Sequence, residues 1–171
     1  MNRPFGVREA AGEFDIGQVR RLVTAHGDAL ANTLGVEFVY ADAARMPGPY
    51  APPRGGVWLA LHGEEGVGCV ALRPLDEETG EVKRMFVDPS WRGMGVGRAL
   101  LVALIDAART RGYSVLRLGT LHDMDSALAL YQSLGLTPIE RYRADELIDT
   151  RFFELQLDRP RARINITSSC I

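Results

Sequence analysis

The stretch Arg92-Gly93-Met94-Gly95-Val96-Gly97-Arg98 decides how this chain folds, because it joins a strand-like run ending at Val87 to the strongest helical pattern in the sequence. Three glycines remove side chains where backbone amides must approach a ligand closely. The helix start that follows presents N–H groups without intrahelical partners and a partial positive charge. Arg92 and Arg98 bracket the loop with guanidinium donors shaped for phosphate. Together they make an anion cradle. Two rival glycine loops fail. A nucleotide triphosphatase loop ends in Gly-Lys-Ser/Thr, whereas Lys83, the chain's only lysine, lies upstream. A dinucleotide fingerprint needs glycine where Arg98 stands and sits on the first strand of a strand-helix-strand series, whereas this loop follows hairpins.

Downstream of the loop, residues 95–111 carry Leu100, Leu101, Leu104, Ile105 and Ala108 on one face, and Gly112 stands where the helix should stop. A strand over 114–120, a shorter helix from Asp125 to Leu134 closed by Gly135, and strands near 137–142 and 151–157 follow. Upstream, VWLAL (57–61) and VGCVAL (67–72) flank a glycine-containing connection and read as a hairpin. A third strand runs from Glu81 to Val87, and Asp88-Pro89 ends it. Before these, apolar residues from Phe14 to Leu34 recur at helical spacing, predicting one or two helices. The proline-rich stretch 46–56 breaks any helix and reads as a surface loop inside the domain.

At 171 residues, 46% hydrophobic and 25% charged, the chain fits one domain over 1–157 with a solvated tail at 158–171. Twenty basic residues nearly cancel 22 acidic ones, so no overall positive field exists to recruit nucleic acid. Cys69 and Cys170 have neither metal nor disulfide-framework spacing. With no apolar run of signal-peptide or membrane-spanning length, the expectation is a cytoplasmic protein that meets no membrane.

The loop fits the pattern Arg/Gln-x-x-Gly-x-Gly/Ala. With the preceding strand Glu81-Val82-Lys83-Arg84-Met85-Phe86-Val87-Asp88-Pro89 and the later run Ala127-Leu128-Ala129-Leu130-Tyr131-Gln132-Ser133-Leu134-Gly135-Leu136, the chain resembles the GNAT acetyltransferase superfamily. The resemblance implies an α/β fold, with a mixed sheet of about six to seven strands flanked by helices. Two central parallel strands, ending at Val87 and near Thr120, are expected to splay into a V that holds acetyl-CoA. On that resemblance the pyrophosphate sits on Arg92, Gly93, Met94, Gly95, Val96, Gly97 and Arg98, while Met85, Phe86 and Val87 line the pantetheine arm. Met124 occupies the place where many members have an asparagine that contacts this arm. Tyr131 matches the tyrosine that protonates or stabilises the departing thiolate.

The general base stays open. Glu81, by strand alternation, shares a face with Lys83, Met85 and Val87; His122, Asp123 and Asp125 are the other candidates. The acceptor should lie against the N-terminal half and residues 141–150, with Tyr50 lining its pocket and Asp145, Glu146 or Asp149 attracting a cationic amine. Gly119 stands where ribosomal-protein-type members carry glutamate, which leans the expectation towards a small-molecule amine or amino acid. A protein or peptide amine, or a non-catalytic acyl-CoA-binding module, are the alternatives. Homodimers are common in the family.

Overall fold

The structure, a computed structural model, describes residues 4–35, 43–121, 125–144 and 149–157. In chain order the elements are β1 (Gly6–Glu9), α1 (Gly12–Leu34), β2 (Gly56–His62), β3 (Glu65–Pro74), β4 (Thr79–Val87), α2 (Val96–Thr110), β5 (Val115–Leu121), α3 (Asp125–Ser133), β6 (Thr137–Ile139) and β7 (Thr150–Gln156). The strands form one seven-stranded sheet in the order β1-β2-β3-β4-β5-β7-β6. Its pairs are antiparallel except β4 with β5, which α2 connects as a crossover. The expected mixed sheet is therefore present, with its single parallel pair at the centre.

The two helical layers follow from the apolar patterns. Leu100, Leu101, Leu104, Ile105 and Ala108 of α2 are buried against Val70, Leu72, Val82, Leu116 and Leu118 on one face of the sheet. Val19, Leu22 and Val23 of α1 are buried against Val57, Leu59, Cys69, Ala71 and Phe86 on the other. Each of these leucines contributes roughly 1.5–3 kcal/mol by leaving water. The residues from 14 to 34 form one helix, and it begins earlier than its apolar pattern, at Gly12. Asp15 reaches back to accept from the Ala11 amide at 3.0 Å and takes an ion pair from Arg8 at 2.8 Å, fixing the first turn. Tyr50 closes a short 3-10 turn and is fully buried in the α1-side core, so it is a packing residue and not the pocket lining expected of it.

Candidate active site

The site begins where β4 and β5 part. Their ladder holds Thr79 to Val115, Gly80 to Leu116 and Glu81 to Arg117, and no later pair is made, although β4 runs on to Val87 and β5 to Leu121. The sheet has a V-shaped opening at its centre. A bulge in β4 sits on its rim: Cys69 faces Phe86 whereas Ala71 faces Lys83, so β4 holds one residue more than β3 across this interval. Arg84 lies in that interval at φ 54, a left-handed conformation that costs an ordinary residue about 1–3 kcal/mol.

The extra residue inverts the alternation expected across this strand. Lys83 pairs with Ala71 on the α1 side, and Glu81 pairs with Arg73 on the same side. Met85 and Val87 instead pack on the α2-side core, while Phe86 joins the α1-side core. Glu81 and Lys83 thus face away from Met85 and Val87, contrary to their expected common face.

Beyond β4, Asp88 accepts from the Ser90 amide at 2.9 Å and the Ser90 hydroxyl at 2.6 Å, and these bonds hold its carboxyl below the usual range. This turn buries Trp91 and delivers Arg92, whose Nε donates to the Val87 carbonyl at 3.2 Å. Gly93 at φ 76 and Gly95 at φ 83 have no atom within 4 Å of where a side chain would start, so the turn before α2 presents bare backbone to open space. Gly97 differs. A Cβ there meets the Met85 methyl at 3.0 Å and Leu130 at 3.3 Å, so this glycine lets α2 press onto β4 and α3 rather than opening space. Arg98 donates to the Ser133 hydroxyl at 3.0 Å and ties the start of α2 to the end of α3.

That tie positions Tyr131. The ring is buried against Phe153, and its hydroxyl is hydrogen-bonded with Thr120 of β5 and directed at the Met85 sulfur of β4, 4.0 Å away. The hydroxyl therefore spans the V, beyond the last paired residues of both strands. Burial pushes its pKa up to about 12, with the Thr120 bond opposing, so it is protonated at neutral pH.

Glu81 stands at the foot of the V, on the opposite face, and is fully buried. It accepts from Arg73 Nε and Nη2, both at 2.7 Å, from Arg143 Nη1 at 3.1 Å and from the Tyr142 hydroxyl at 3.0 Å. Both carboxylate oxygens are engaged, which is the condition under which a buried carboxylate is tolerated.

The acetyltransferase (GNAT) family pattern matches residues 28–136. The chain belongs to the GNAT acetyltransferase family. An uncharacterized N-acetyltransferase of Bacillus subtilis, YsnE, is 37% identical over 128 residues, covering 73% of this chain and 82% of that protein. An uncharacterized N-acetyltransferase of Schizosaccharomyces pombe, C1271.07c, is 28% identical over 148 residues, covering 85% and 90% respectively. The fold matches a solved putative acetyltransferase of Salmonella typhimurium with its cofactor acetyl-CoA, at TM-score 0.66 and 23% identity over 92% of this chain and 96% of that one. As a GNAT enzyme the chain is an acyltransferase whose donor is acetyl-CoA. The bare, open backbone at Gly93 and Gly95, at a helix N-terminus flanked by two arginines, suits the coenzyme's pyrophosphate.

The GNAT fold brings Met85, Val87, the 92–98 loop and Tyr131 around one opening and leaves Glu81 beneath it. His122, Asp123, Met124, Asp145, Glu146 and the 158–171 tail lie outside the described residues. Among the described residues no helix is long and apolar enough to cross a membrane, and no group of three His, Cys, Asp or Glu side chains is placed to hold a metal.

Sequence reasoning missed Arg73 and Arg117 beside Glu81; Tyr142 and Arg143 fall in the 141–150 segment expected to meet the acceptor, but their contact with Glu81 was not foreseen. The available signal was an arginine inside each of two otherwise apolar strands, Arg73 after ValAlaLeu and Arg117 within SVLRLGT. It also missed His26, which stacks on Phe86 with ring centroids 5.4 Å apart. The Nδ1 atom of His26 is buried without a hydrogen-bond partner among the described residues. Burial first, then the charges of Arg84 and Arg92, bring its pKa down to about 4, so the ring is neutral at pH 7.

Proposed function

We propose that this chain transfers the acetyl group of acetyl-CoA to a primary amine of a small molecule by direct attack with both substrates bound. One observation carries the reading: the Tyr131 hydroxyl lies between Met85 of β4 and Thr120 of β5, inside the opening that the 92–98 cradle overlooks. When bound, acetyl-CoA supplies a thioester whose carbonyl carbon forms a bond to the amine nitrogen as its bond to sulfur breaks.

The chain's own groups do the rest. Amides from Gly93 to Arg98, with the Arg92 and Arg98 guanidiniums, hold the pyrophosphate. Main-chain groups of Met85, Phe86 and Val87 take the pantetheine arm as an added strand. Because Tyr131 keeps its proton, it donates a hydrogen bond to the sulfur as negative charge gathers there, and a thiolate with a pKa near about 8.5 needs little more help. The nitrogen releases one proton to solvent water as the new bond forms, and coenzyme A leaves as the thiolate. Glu81 is a poor receiver for it, since two guanidiniums and a phenol occupy its oxygens; in our reading it anchors Arg143 and Tyr142 instead.

A small-molecule acceptor is favoured over a peptide terminus by the space around Gly119. A Cβ at that position falls 2.9 Å from the Thr150 methyl and 3.3 Å from the Phe152 ring, so the glutamate of ribosomal-protein-type members would require these side chains to shift.

Tyr131→Phe tests the reading. With free thiol followed across an amine panel, kcat should drop about 10- to 100-fold while coenzyme A binding, by calorimetry, stays within about two-fold. Unchanged kcat would remove Tyr131 from the chemistry. A wild-type chain that binds acetyl-CoA and acetylates no amine would replace the transferase reading with that of a binding module.

A further inference from the structure

One row of side chains crosses the sheet at the foot of the V. Arg73 pairs with Glu81, Glu81 with Arg117, and Arg117 with Glu154. Directly paired residues on neighbouring strands point to the same face, and this face is opposite to the one carrying Leu72, Val82 and Leu116 under α2. Segment 140–144 lies over the row, placing Arg143 on Glu81 and the Tyr142 ring 5.5 Å from the Arg117 guanidinium. In and directly over the row, three guanidiniums, those of Arg73, Arg117 and Arg143, meet two carboxylates, those of Glu81 and Glu154. Lys83 follows on the same face of β4.

Tyr131, Met85 and the cradle lie on the α2 and α3 side, which leaves the face that carries this row, the face on which α1 also packs, for an acceptor. Arg117 is well placed to meet it. Its side chain is 32% exposed, its Nε donates to Glu154 at 2.8 Å, and it makes no other hydrogen bond among the described residues. A guanidinium has five N–H donors in a planar fork that fits a carboxylate. Thr120, which bonds Tyr131, is three residues further along β5, about 10 Å away, a distance that an extended arginine and a small amino acid span together. The cradle lies beyond the end of β4, so the coenzyme's phosphates do not account for charge at this depth.

We infer that the acceptor is an amine bearing a carboxylate, which Arg117 grips on the face of the sheet opposite α2 and α3, with Arg143 beside it. This rests on the acetyl-transfer reading above and names its substrate class. It replaces the expectation that acidic residues draw in a cationic amine.

The test compares amino acids with their α-carboxamides, which keep the amine and remove the charge. With wild-type protein and acetyl-CoA, kcat/KM for the free acids should exceed that for the amides at least 10-fold for the best side chain, and Arg117→Gln should bring that ratio close to one. Equal rates for acid and amide, a preference for diamines, or an unchanged ratio in Arg117→Gln would overturn the inference. The same comparison is made without turnover by titrating N-acetyl amino acids and N-acetyl amino acid amides into protein loaded with coenzyme A. At least 10-fold tighter binding of the acids is expected, and equal binding overturns the inference. Failure to bind coenzyme A at all would instead sink the acetyl-transfer reading on which it stands.

Discussion

Replacing Gly95 by alanine separates the cradle from the fold, because the chain contains its own control. Gly95 caps the start of α2 at φ 83, and Gly112 follows its end at φ 86; neither has an atom within 4 Å of the added methyl. Both substitutions therefore put an L-residue into the left-handed region without a clash, at a cost of roughly 1–2 kcal/mol each. For a domain of this size that is a fall in melting temperature of about 2–8 °C, of similar size in the two variants. Their ligand effects should diverge. At Gly95 the methyl enters the space where phosphate oxygens must meet backbone N–H groups, and losing one charge-assisted bond costs about 1.5–3 kcal/mol. Coenzyme A should then bind about 10- to 100-fold more weakly to Gly95→Ala, while Gly112→Ala binds as the wild type does. Calorimetric titration of the apo proteins, with melting curves on the same samples, reads both quantities. If the two variants bind coenzyme A equally well, the pyrophosphate does not sit at this loop and the assignment of residues 92–98 is wrong.

Two further outcomes follow from the buried charges. Glu81→Gln leaves Arg73 and Arg143 facing a neutral amide, and breaking a buried pair in this way should cost about 3–5 kcal/mol in chemical denaturation; a loss under about 1 kcal/mol would mean that the ion pairs do little for the fold. His26 has a folded pKa near 4 against 6.5 when unfolded, so the unfolded chain takes up the proton first as pH falls. Its contribution is whole above pH 6.5 and is lost towards pH 4, where at about 1.4 kcal/mol per pH unit the loss approaches 3 kcal/mol. His26→Gln should flatten the stability profile over that window, and an unaltered slope would show that the ring is not held neutral.

The order of elements was legible because each has a local cause. Five apolar residues between Leu100 and Ala108 repeat at helical spacing, and Gly112 takes the left-handed turn after α2. The glycine-rich turn before α2 was equally legible, since bare backbone before a helix has a composition of its own. The direction of the β4 side chains was not. Strand alternation is a rule for a regular ladder, and one inserted residue near Arg84, which looks like any other in the strand, reverses it. Nor did the sequence indicate that Glu81, 62 positions before Arg143, shares a buried ion pair with it. That contact depends on β7 lying beside β5 and on segment 140–144 folding back over the row, a long-range arrangement without a local signature.

The bulge also explains why one strand can serve both substrates. Were β4 regular, Glu81, Lys83, Met85 and Val87 would all project to one face, and the charged row would meet the apolar side chains that support Tyr131 and α2. With the extra residue, Glu81 and Lys83 turn to the α1 side while Met85 and Val87 turn to the α2 core. On the proposed reading the strand's charged half then falls on the acceptor's side and its apolar half beneath the coenzyme. The left-handed backbone at Arg84 is the local cost of that division. It lies three residues past Glu81, the last β4 residue paired to β5, so the same distortion that sorts the side chains accompanies the parting of the strands.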